Sequence, residues 1–289
     1  MDIRAILMGL AFAVMWSSAF TSARIIVMDA SPLLALSLRY LISGLIGVGI
    51  ALALGQSWRL TPAQWRATII FGVLQNAVYL GLNFIAMQTI EASLAAIIAS
   101  TMPLLVGFAA WAFLGEKLRP LGIAGLFAGV IGVAIIMGAR LGGQVDLYGL
   151  ILCAIGVVAL TAATLLVRGA TSGGNFLMVV GLQMLVGCVA LSIATLLFET
   201  PRIDPSLRLT LAFAYTCLVP GLAATVVWFW LVNRIGATRA ATFHFLNPFF
   251  GVAIAALLLG ETLGPRDILG VAIIAGGILA VQISRQRKA

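Results

Sequence analysis

Four polar side chains fall deep inside one long apolar segment, where they could hydrogen-bond a solute. Gln75, Tyr79 and Asn83 follow one another at intervals of four residues, and Asn76 lies beside them. Residues at i, i+4 and i+8 share one face of an α-helix, so these side chains predict one polar stripe. Polar groups in such a segment are costly unless they face the interior of a helical bundle. The stripe therefore lines a binding cavity or forms interhelical hydrogen bonds that hold the bundle together.

The single histidine of the chain, His244, lies in another apolar segment, one helical turn before Pro248. It is the one side chain here that could change protonation near neutral pH, so it could contact a solute or sense pH. Asn247 adjoins the same proline. A structural hydrogen bond is the alternative interpretation of a buried histidine, and the sequence leaves both open.

Aromatic side chains could form the walls of the same site. Trp16 and Phe20 lie in the first apolar segment, and Trp228 and Trp230 lie in the eighth. Tryptophan also anchors proteins at membrane surfaces, but Trp16 is near the middle of its segment, which favours a cavity. The candidate substrate-binding residues are Trp16, Phe20, Gln75, Tyr79, Asn83, Trp228, His244 and Asn247.

Charged residues are rare inside these segments. Arg39 lies about 10 Å into its helix at the rise of a helical residue, so it needs a partner or water. A structural ion pair or snorkelling is favoured over a substrate carboxylate. No Asp or Glu lies mid-segment, which disfavours a carrier that exchanges protons for lipophilic cations.

The sequence lacks the motifs of catalytic, nucleotide-binding and metal sites. It has no G-x-S-x-G, no H-E-x-x-H and no nucleotide-binding loop. Cys153, Cys188 and Cys217 fall within apolar segments without metal-ligand spacing, and we interpret them as packing residues. We expect no enzyme activity, no cofactor and no metal.

Composition identifies the elements that must position these residues. The 289-residue chain is 62% hydrophobic and 9% charged, which indicates lipid as its solvent. The net charge is +8, but the basic residues are scattered at segment ends rather than clustered in a patch, which argues against nucleic-acid binding. Apolar runs of about 20 residues predict an all-α integral membrane protein with ten transmembrane helices. The predicted spans are 4–27, 32–54, 66–88, 92–114, 120–138, 147–167, 175–198, 209–231, 237–259 and 266–284.

The same pattern ends each half of the chain, at an offset of 145 residues. Aligning 91–140 with 236–285 without a gap gives 14 identities in 50 positions. The offset covers five helices, an odd number, so the second copy enters the membrane from the opposite side. This predicts two inverted five-helix repeats, 1–140 and 145–289. The matching positions include Pro103 and Pro248, Gly115-Glu116 and Gly260-Glu261, Gly125 and Gly270, and Gly132 and Gly277.

Pro103 and Pro248 fall at the midpoints of the fourth and ninth predicted helices. A proline inside a helix frees the carbonyl four residues earlier and kinks the chain. We therefore expect the two prolines to shape or gate a central cavity. Glu116 and Glu261 lie at helix ends, where we expect each Gly-Glu pair to form a turn whose carboxylate binds nearby donors.

These features resemble the drug/metabolite transporter superfamily, specifically its ten-helix family of paired EamA domains. The resemblance covers essentially the whole chain and implies export of amino acids, other metabolites or drugs across the bacterial cytoplasmic (inner) membrane. The aromatic amino acid exporter branch is similar. One departure is Thr161, which aligns with Trp16 at the 145-residue offset, where the family often has an aromatic residue. The matching stretches are Trp16 to Phe20, Arg39, Ser93 to Glu116 and Gly236 to Glu261.

Basic residues predict the orientation of the chain. With both termini in the cytoplasm, 11 of the 17 Lys and Arg residues lie on the cytoplasmic side. We predict a secondary transporter that exports small metabolites, foremost amino acids with aromatic or hydrophobic side chains, by alternating access around a central cavity. Its partners would be the solute and the lipid bilayer, and a monomer would suffice. Two alternatives stay open: a drug or nucleoside exporter of the same fold, and a non-transporting membrane scaffold or receptor.

Overall fold

The computed structural model describes residues 2–140, 146–167 and 173–286. Within these ranges, ten helices are long and apolar enough to cross a membrane, which confirms the predicted all-α membrane fold. Helices suit this environment because each satisfies its own backbone hydrogen bonds. The spans, numbered 1 to 10 in chain order, are Ile3–Asp29, Pro32–Ala53, Pro62–Ala86, Ala92–Leu114, Pro120–Gly138, Leu147–Leu166, Phe176–Phe198, Leu207–Ile235, Ala241–Leu259 and Pro265–Ser284.

Proline and glycine set many of the helix ends. Spans 2, 3, 5 and 10 begin at proline, whose missing N–H would have had no helical acceptor at that position. Span 3 starts four residues before its predicted position because Thr61 and Gln64 form a capping box around Pro62. Gly115 and Gly260 end spans 4 and 9, both with φ of +68°. The interpretation of each Gly-Glu pair as a helix end is therefore confirmed.

Spans 4 and 9 each have a break in the α-helix just before the proline. Span 4 consists of Ala92–Ser100 followed by Met102–Leu114. In span 9, a 3₁₀ segment, Ala241–Leu246, precedes the α-helix Asn247–Leu259. Each proline lies in the first turn of the second segment, where it costs no helical hydrogen bond. The His244 carbonyl is not left free, since it accepts the N–H of Asn247.

Two spans contain π-helical segments that the sequence analysis did not predict. The first covers Gly72–Tyr79 in span 3, and the second covers Cys217–Ala223 in span 8. Their starting residues are 145 positions apart, which is the offset of the sequence repeat. Such segments widen a helix by one residue per turn and occur frequently at functional sites.

The chain forms two compact units, each built from segments of both sequence halves. Unit 1 contains Met1–Thr21, Thr89–Leu150 and Ala223–Ala289. Unit 2 contains Ser22–Gln88 and Ile151–Leu222.

Spans 5 and 10 pack against each other in unit 1 through glycines of the repeat. A methyl group built on Gly125 would lie 2.7 Å from the carbonyl oxygen of Gly277. One built on Gly132 would lie 2.9 Å from the carbonyl oxygen of Gly270. The earlier glycine of each helix therefore meets the later glycine of the other, so the two helices run antiparallel. Small residues permit this close approach of two backbones.

Spans 4 and 9 of unit 1 are joined by Glu261. Its carboxylate accepts the backbone N–H groups of Ala92 at 2.8 Å and Ser93 at 2.9 Å. These groups begin span 4, where unsatisfied N–H groups and the helix dipole favour a negative charge. The expectation that Glu261 binds nearby donors is confirmed.

Two other carboxylates of unit 1 lie outside the spans. Asp2 accepts hydrogen bonds from the Arg234 guanidinium, which lowers the pKa of Asp2 from 3.8 to about 2. Asp146 accepts a hydrogen bond from the Thr89 hydroxyl at 2.5 Å, which is the main cause of its lowered pKa. Both carboxylates are therefore ionised at neutral pH.

Spans 2 and 7 pack antiparallel in unit 2, with side-chain caps at opposite ends. Glu199, after the end of span 7, accepts the N–H groups of Leu33 at 2.9 Å and Leu34 at 3.1 Å. Gln56, after the end of span 2, accepts the N–H of Met178 at 3.0 Å. Each helix N-terminus is thus capped from beyond the C-terminus of the other helix.

Candidate substrate site

Four rings from spans 1, 8 and 9 meet in unit 1 and form what we call the aromatic cluster: Phe12, Trp16, Trp228 and His244. The Phe12 ring centroid lies 4.6 Å from that of Trp228 and 5.3 Å from that of His244. Trp16 approaches His244 edge-to-face at 6.2 Å. Phe12 is buried, whereas the other three rings are only half-buried. The cluster therefore presents aromatic surface that an apolar solute can contact.

A hydrogen bond fixes His244 against the start of the α-helix in span 9. Nδ1 of His244 lies 2.9 Å from Nδ2 of Asn247. With the amide as donor, Nδ1 accepts, and a neutral imidazole carries its proton on Nε2. The Ser17 hydroxyl donates to the Asn247 carbonyl at 3.2 Å. The side-chain oxygen of Asn247 is buried without a hydrogen-bond partner, so an acceptor remains unused beside the rings.

The other two aromatic candidates lie outside the cluster. Phe20 is buried on span 1, and the described residues show no ring contact between it and the cluster. Trp230 is two residues beyond Trp228 and is 55% exposed. This exposure places Trp230 on the outer surface of a helix, where lipid would cover it.

Asn76 of the polar stripe joins three spans of unit 2. Its side-chain oxygen accepts a hydrogen bond from the Tyr40 hydroxyl at 3.2 Å. Its side-chain nitrogen donates to the Gln183 carbonyl at 2.9 Å. Asn76 thus forms interhelical hydrogen bonds that link spans 2, 3 and 7.

Asn83 is fully buried and its amide is occupied by protein groups. Nδ2 donates to the Tyr79 carbonyl of the same span at 2.8 Å. Oδ1 accepts from the Cys153 thiol of span 6 at 3.4 Å, so this cysteine both packs and donates. Gly156 permits the contact, because a methyl group there would lie 2.8 Å from Nδ2 of Asn83.

The polar side chains of span 3 differ in burial. Asn76, Tyr79 and Asn83 are buried, while Gln75 is partly exposed. Gln75 therefore lies at the edge of the buried face rather than on it. Neither the Tyr79 hydroxyl nor the Gln75 amide has a hydrogen-bond partner among the described residues, so these two polar groups of the stripe remain available.

Arg39 differs from the expectation of an ion pair or a snorkelling side chain. It is 6% exposed, so the side chain is buried and does not snorkel to the surface. No carboxylate oxygen of the described residues lies within salt-bridge distance, and Nε is buried without a hydrogen bond. The contact that the structure gives is with the Tyr40 ring, whose centroid is 5.2 Å from the guanidinium carbon.

Two features of the site were not predicted from the sequence: Phe12 in the aromatic cluster and the two π-helical segments. Phe12 lies one helical turn before Trp16, so the same-face rule could have identified it. The π-helical segments carry no matching sequence signal, since the first reads GVLQNAVY and the second CLVPGLA.

Proteins named as transporters are similar to this chain, two of them over most of its length. The uncharacterized transporter YvbV of Bacillus subtilis is 26% identical over 286 residues, which cover 97% of this chain and 92% of YvbV. The uncharacterized transporter YoaV of the same organism is 23% identical over 269 residues, 91% of each chain. The aromatic amino acid exporter YddG of Ancylobacter novellus is 30% identical over 112 residues, 39% of each chain.

A solved structure and a family model give the fold and the family of this chain. A solved crystal structure aligns over 100% of both chains with a TM-score of 0.71 and 22% identity, a likeness of fold alone. The model of the EamA-like transporter family matches residues 3–138 and 147–283. The resemblance inferred from the sequence is confirmed, and the chain belongs to the EamA-like transporter family.

Proposed function

We propose that this protein exports amino acids with aromatic or other hydrophobic side chains across the bacterial inner membrane. The observation that carries the proposal is the aromatic cluster of unit 1, which combines rings from both sequence halves with a free acceptor. Membership of a transporter family supports the transport activity itself. The relative named an aromatic amino acid exporter supports the substrate class, over the part of the chain that it matches.

The cluster suits an amino acid because it offers two kinds of contact. The half-exposed rings of Trp16, Trp228 and His244 can pack against an aromatic side chain in tilted and edge-to-face geometries. The unused Asn247 oxygen can accept a hydrogen bond from the substrate ammonium group. The aromatic cluster itself carries no carboxylate, Lys or Arg, which favours a solute with an apolar body.

We further propose alternating access as a secondary transporter, with residues 1–140 and 145–289 acting as inverted repeats and both termini in the cytoplasm. The exchanged glycine contacts of spans 5 and 10 and the matching π-helical segments support this relationship. The helix breaks before Pro103 and Pro248 are the proposed hinges, because few hydrogen bonds need to change there.

Transport by the purified protein in liposomes tests the substrate class. Vesicles loaded with unlabelled tryptophan should accumulate labelled tryptophan from outside, and phenylalanine and leucine should compete better than a nucleoside. Failure to exchange any of the twenty amino acids would refute the substrate class and leave the fold intact. A pH gradient imposed on the same vesicles tests proton coupling. Transport that ignores the gradient would exclude His244 as a coupling group.

Two tryptophans on the same helix provide a matched test of the site. Trp228→Ala should raise the KM for tryptophan about tenfold, the effect of losing an aromatic contact and its buried area. Trp230→Ala removes the same side chain from an exposed position and should leave the KM unchanged. Equal effects of the two substitutions would mean that the aromatic cluster does not bind the substrate.

The same assay distinguishes solute binding from helix packing for the polar stripe of span 3. Tyr79→Phe removes a hydroxyl without a protein partner, so it should reduce transport without lowering the amount of protein in the membrane. Asn83→Ala breaks two buried hydrogen bonds and should reduce that amount. Normal transport by Tyr79→Phe would assign the stripe to helix packing.

A further inference from the structure

Arg39 is a buried cation without an anion. Among residues whose burial the structure describes, it is the one buried Lys or Arg side chain. It lies within span 2, where an unpaired charge is costly and usually marks a functional group. Its Nε makes no hydrogen bond, and no described carboxylate neutralises it.

The surroundings hold the guanidinium in place without satisfying it. The Tyr40 ring lies against it, and the hydrogen bond from Tyr40 to Asn76 fixes that ring. An aromatic face attracts a cation, but it cannot accept the N–H bonds that a guanidinium directs outward in its own plane. The donors of Arg39 therefore remain available to an oxyanion.

The π-helical segment of span 8 packs its backbone close to the same group. A methyl group built on Gly221 would lie 3.9 Å from Nη2 of Arg39 and 3.3 Å from the Ser43 hydroxyl. The hydroxyl itself donates to the Cys217 carbonyl at 3.3 Å, so it does not bind the guanidinium. Gly221 thus lets the backbone of span 8 approach the guanidinium, and it brings no side-chain acceptor to Arg39.

We propose that Arg39 binds the carboxylate of the transported solute. A carboxylate matches the fork of guanidinium donors with two parallel hydrogen bonds, a geometry that lysine cannot reproduce. The proposal rests on the proposed function and requires its substrates to carry a carboxylate. A lipid phosphate is a second source of oxyanion chemistry, and the experiment must separate the two.

Thermal unfolding of the purified protein, in a detergent without phospholipid, measures this preference. The probes are tryptophan and indole-3-acetate, compared with tryptamine and indole-3-acetamide, which lack the carboxylate. Wild-type protein should be stabilised by the carboxylates at concentrations at least tenfold below those of the matched compounds. Arg39→Gln and Arg39→Lys should abolish that difference. Arg24→Gln should retain it, because the Arg24 guanidinium already donates to the Met87 carbonyl.

Several outcomes would overturn the assignment. Equal stabilisation by the paired compounds in the wild type refutes it, as does a difference that persists in Arg39→Gln. Carboxylate preference that appears only after anionic phospholipid is removed, and is lost when it is restored, assigns the site to a lipid headgroup instead. A variant that unfolds too early for this assay is compared by tryptophan counterflow in native vesicles, where an unchanged KM contradicts the proposal. Carboxylate binding without transport of any amino acid would reject the proposed function alone.

Discussion

The contact between spans 5 and 10 gives a prediction in which two neighbouring glycines separate packing from helix propensity. Gly277→Ala would place a methyl group 2.7 Å from the Gly125 carbonyl oxygen and 3.0 Å from the Gly129 nitrogen. Both are backbone atoms, so no side chain can rotate away. Ordinary contact begins at 3.4 Å, so the helices would have to separate locally by about 0.7 Å.

Gly276→Ala is the matched control, because nothing lies within 4 Å of its added methyl group. Both substitutions gain roughly 0.5–1 kcal/mol from replacing glycine within a helix. That gain cancels in the comparison, which leaves the cost of overpacking, about 1–3 kcal/mol. Gly277→Ala should therefore unfold more easily than Gly276→Ala by this amount.

Equilibrium unfolding in mixed micelles with increasing dodecyl sulfate measures the difference, with far-UV circular dichroism and tryptophan fluorescence as independent probes. Gly132→Ala should behave like Gly277→Ala, since its methyl group would lie 2.9 Å from the Gly270 carbonyl oxygen. Equal stability of Gly276→Ala and Gly277→Ala would refute the close backbone contact.

Three further predictions concern the charged groups near the helix ends. Glu261→Ala should lower the free energy of unfolding by about 1.5–3 kcal/mol, and Glu261→Gln should lower it less, measured in the same micelles. Asp2 has a lowered pKa, so its bond to Arg234 stabilises the N-terminus above pH 3.8 and is lost as the pH falls toward 2. The hydrogen-exchange protection factors at the start of span 1 should fall over that interval in the wild type and stay constant in Asp2→Asn. Thr89→Val should return the pKa of Asp146 toward 3.8 in a carboxyl-carbon NMR titration, and an unchanged value would contradict the assigned hydrogen bond.

The sequence predicted the spans well because membrane solvation imposes a simple requirement. A run of about 20 apolar residues can cross hydrocarbon as a helix almost regardless of its neighbours. Local capping was harder to see, as span 3 shows, where Thr61 and Gln64 extend the helix toward its N-terminus. The family followed from motifs at fixed positions, and the family model that matches most of the chain confirms it.

The candidate site was less predictable because it depends on helix phase and tertiary contacts. Trp16, Trp228 and His244 do meet, although no pattern in the sequence connects spans 1, 8 and 9. Gln75 was placed beside Tyr79 on its spacing alone, and spacing does not predict that Gln75 stays partly exposed while Tyr79 is buried. The sequence does not show which acidic residues approach Arg39, so the lack of an anion beside it among the described residues emerges only from the fold.

The interleaved composition of the two units has a consequence for how the protein is made. Unit 2 joins residues 22–88 to residues 151–222, so spans 2 and 3 enter the membrane long before spans 7 and 8 exist. At a synthesis rate of about 5–20 residues per second, the 145-residue offset corresponds to a delay of roughly 7–30 seconds. During that interval Asn76 lacks the carbonyl of Gln183, and the N-terminus of span 2 lacks Glu199. The early helices therefore carry unsatisfied polar groups until the later helices are made, and a chain that ends before residue 199 would leave the N–H groups of Leu33 and Leu34 without their cap.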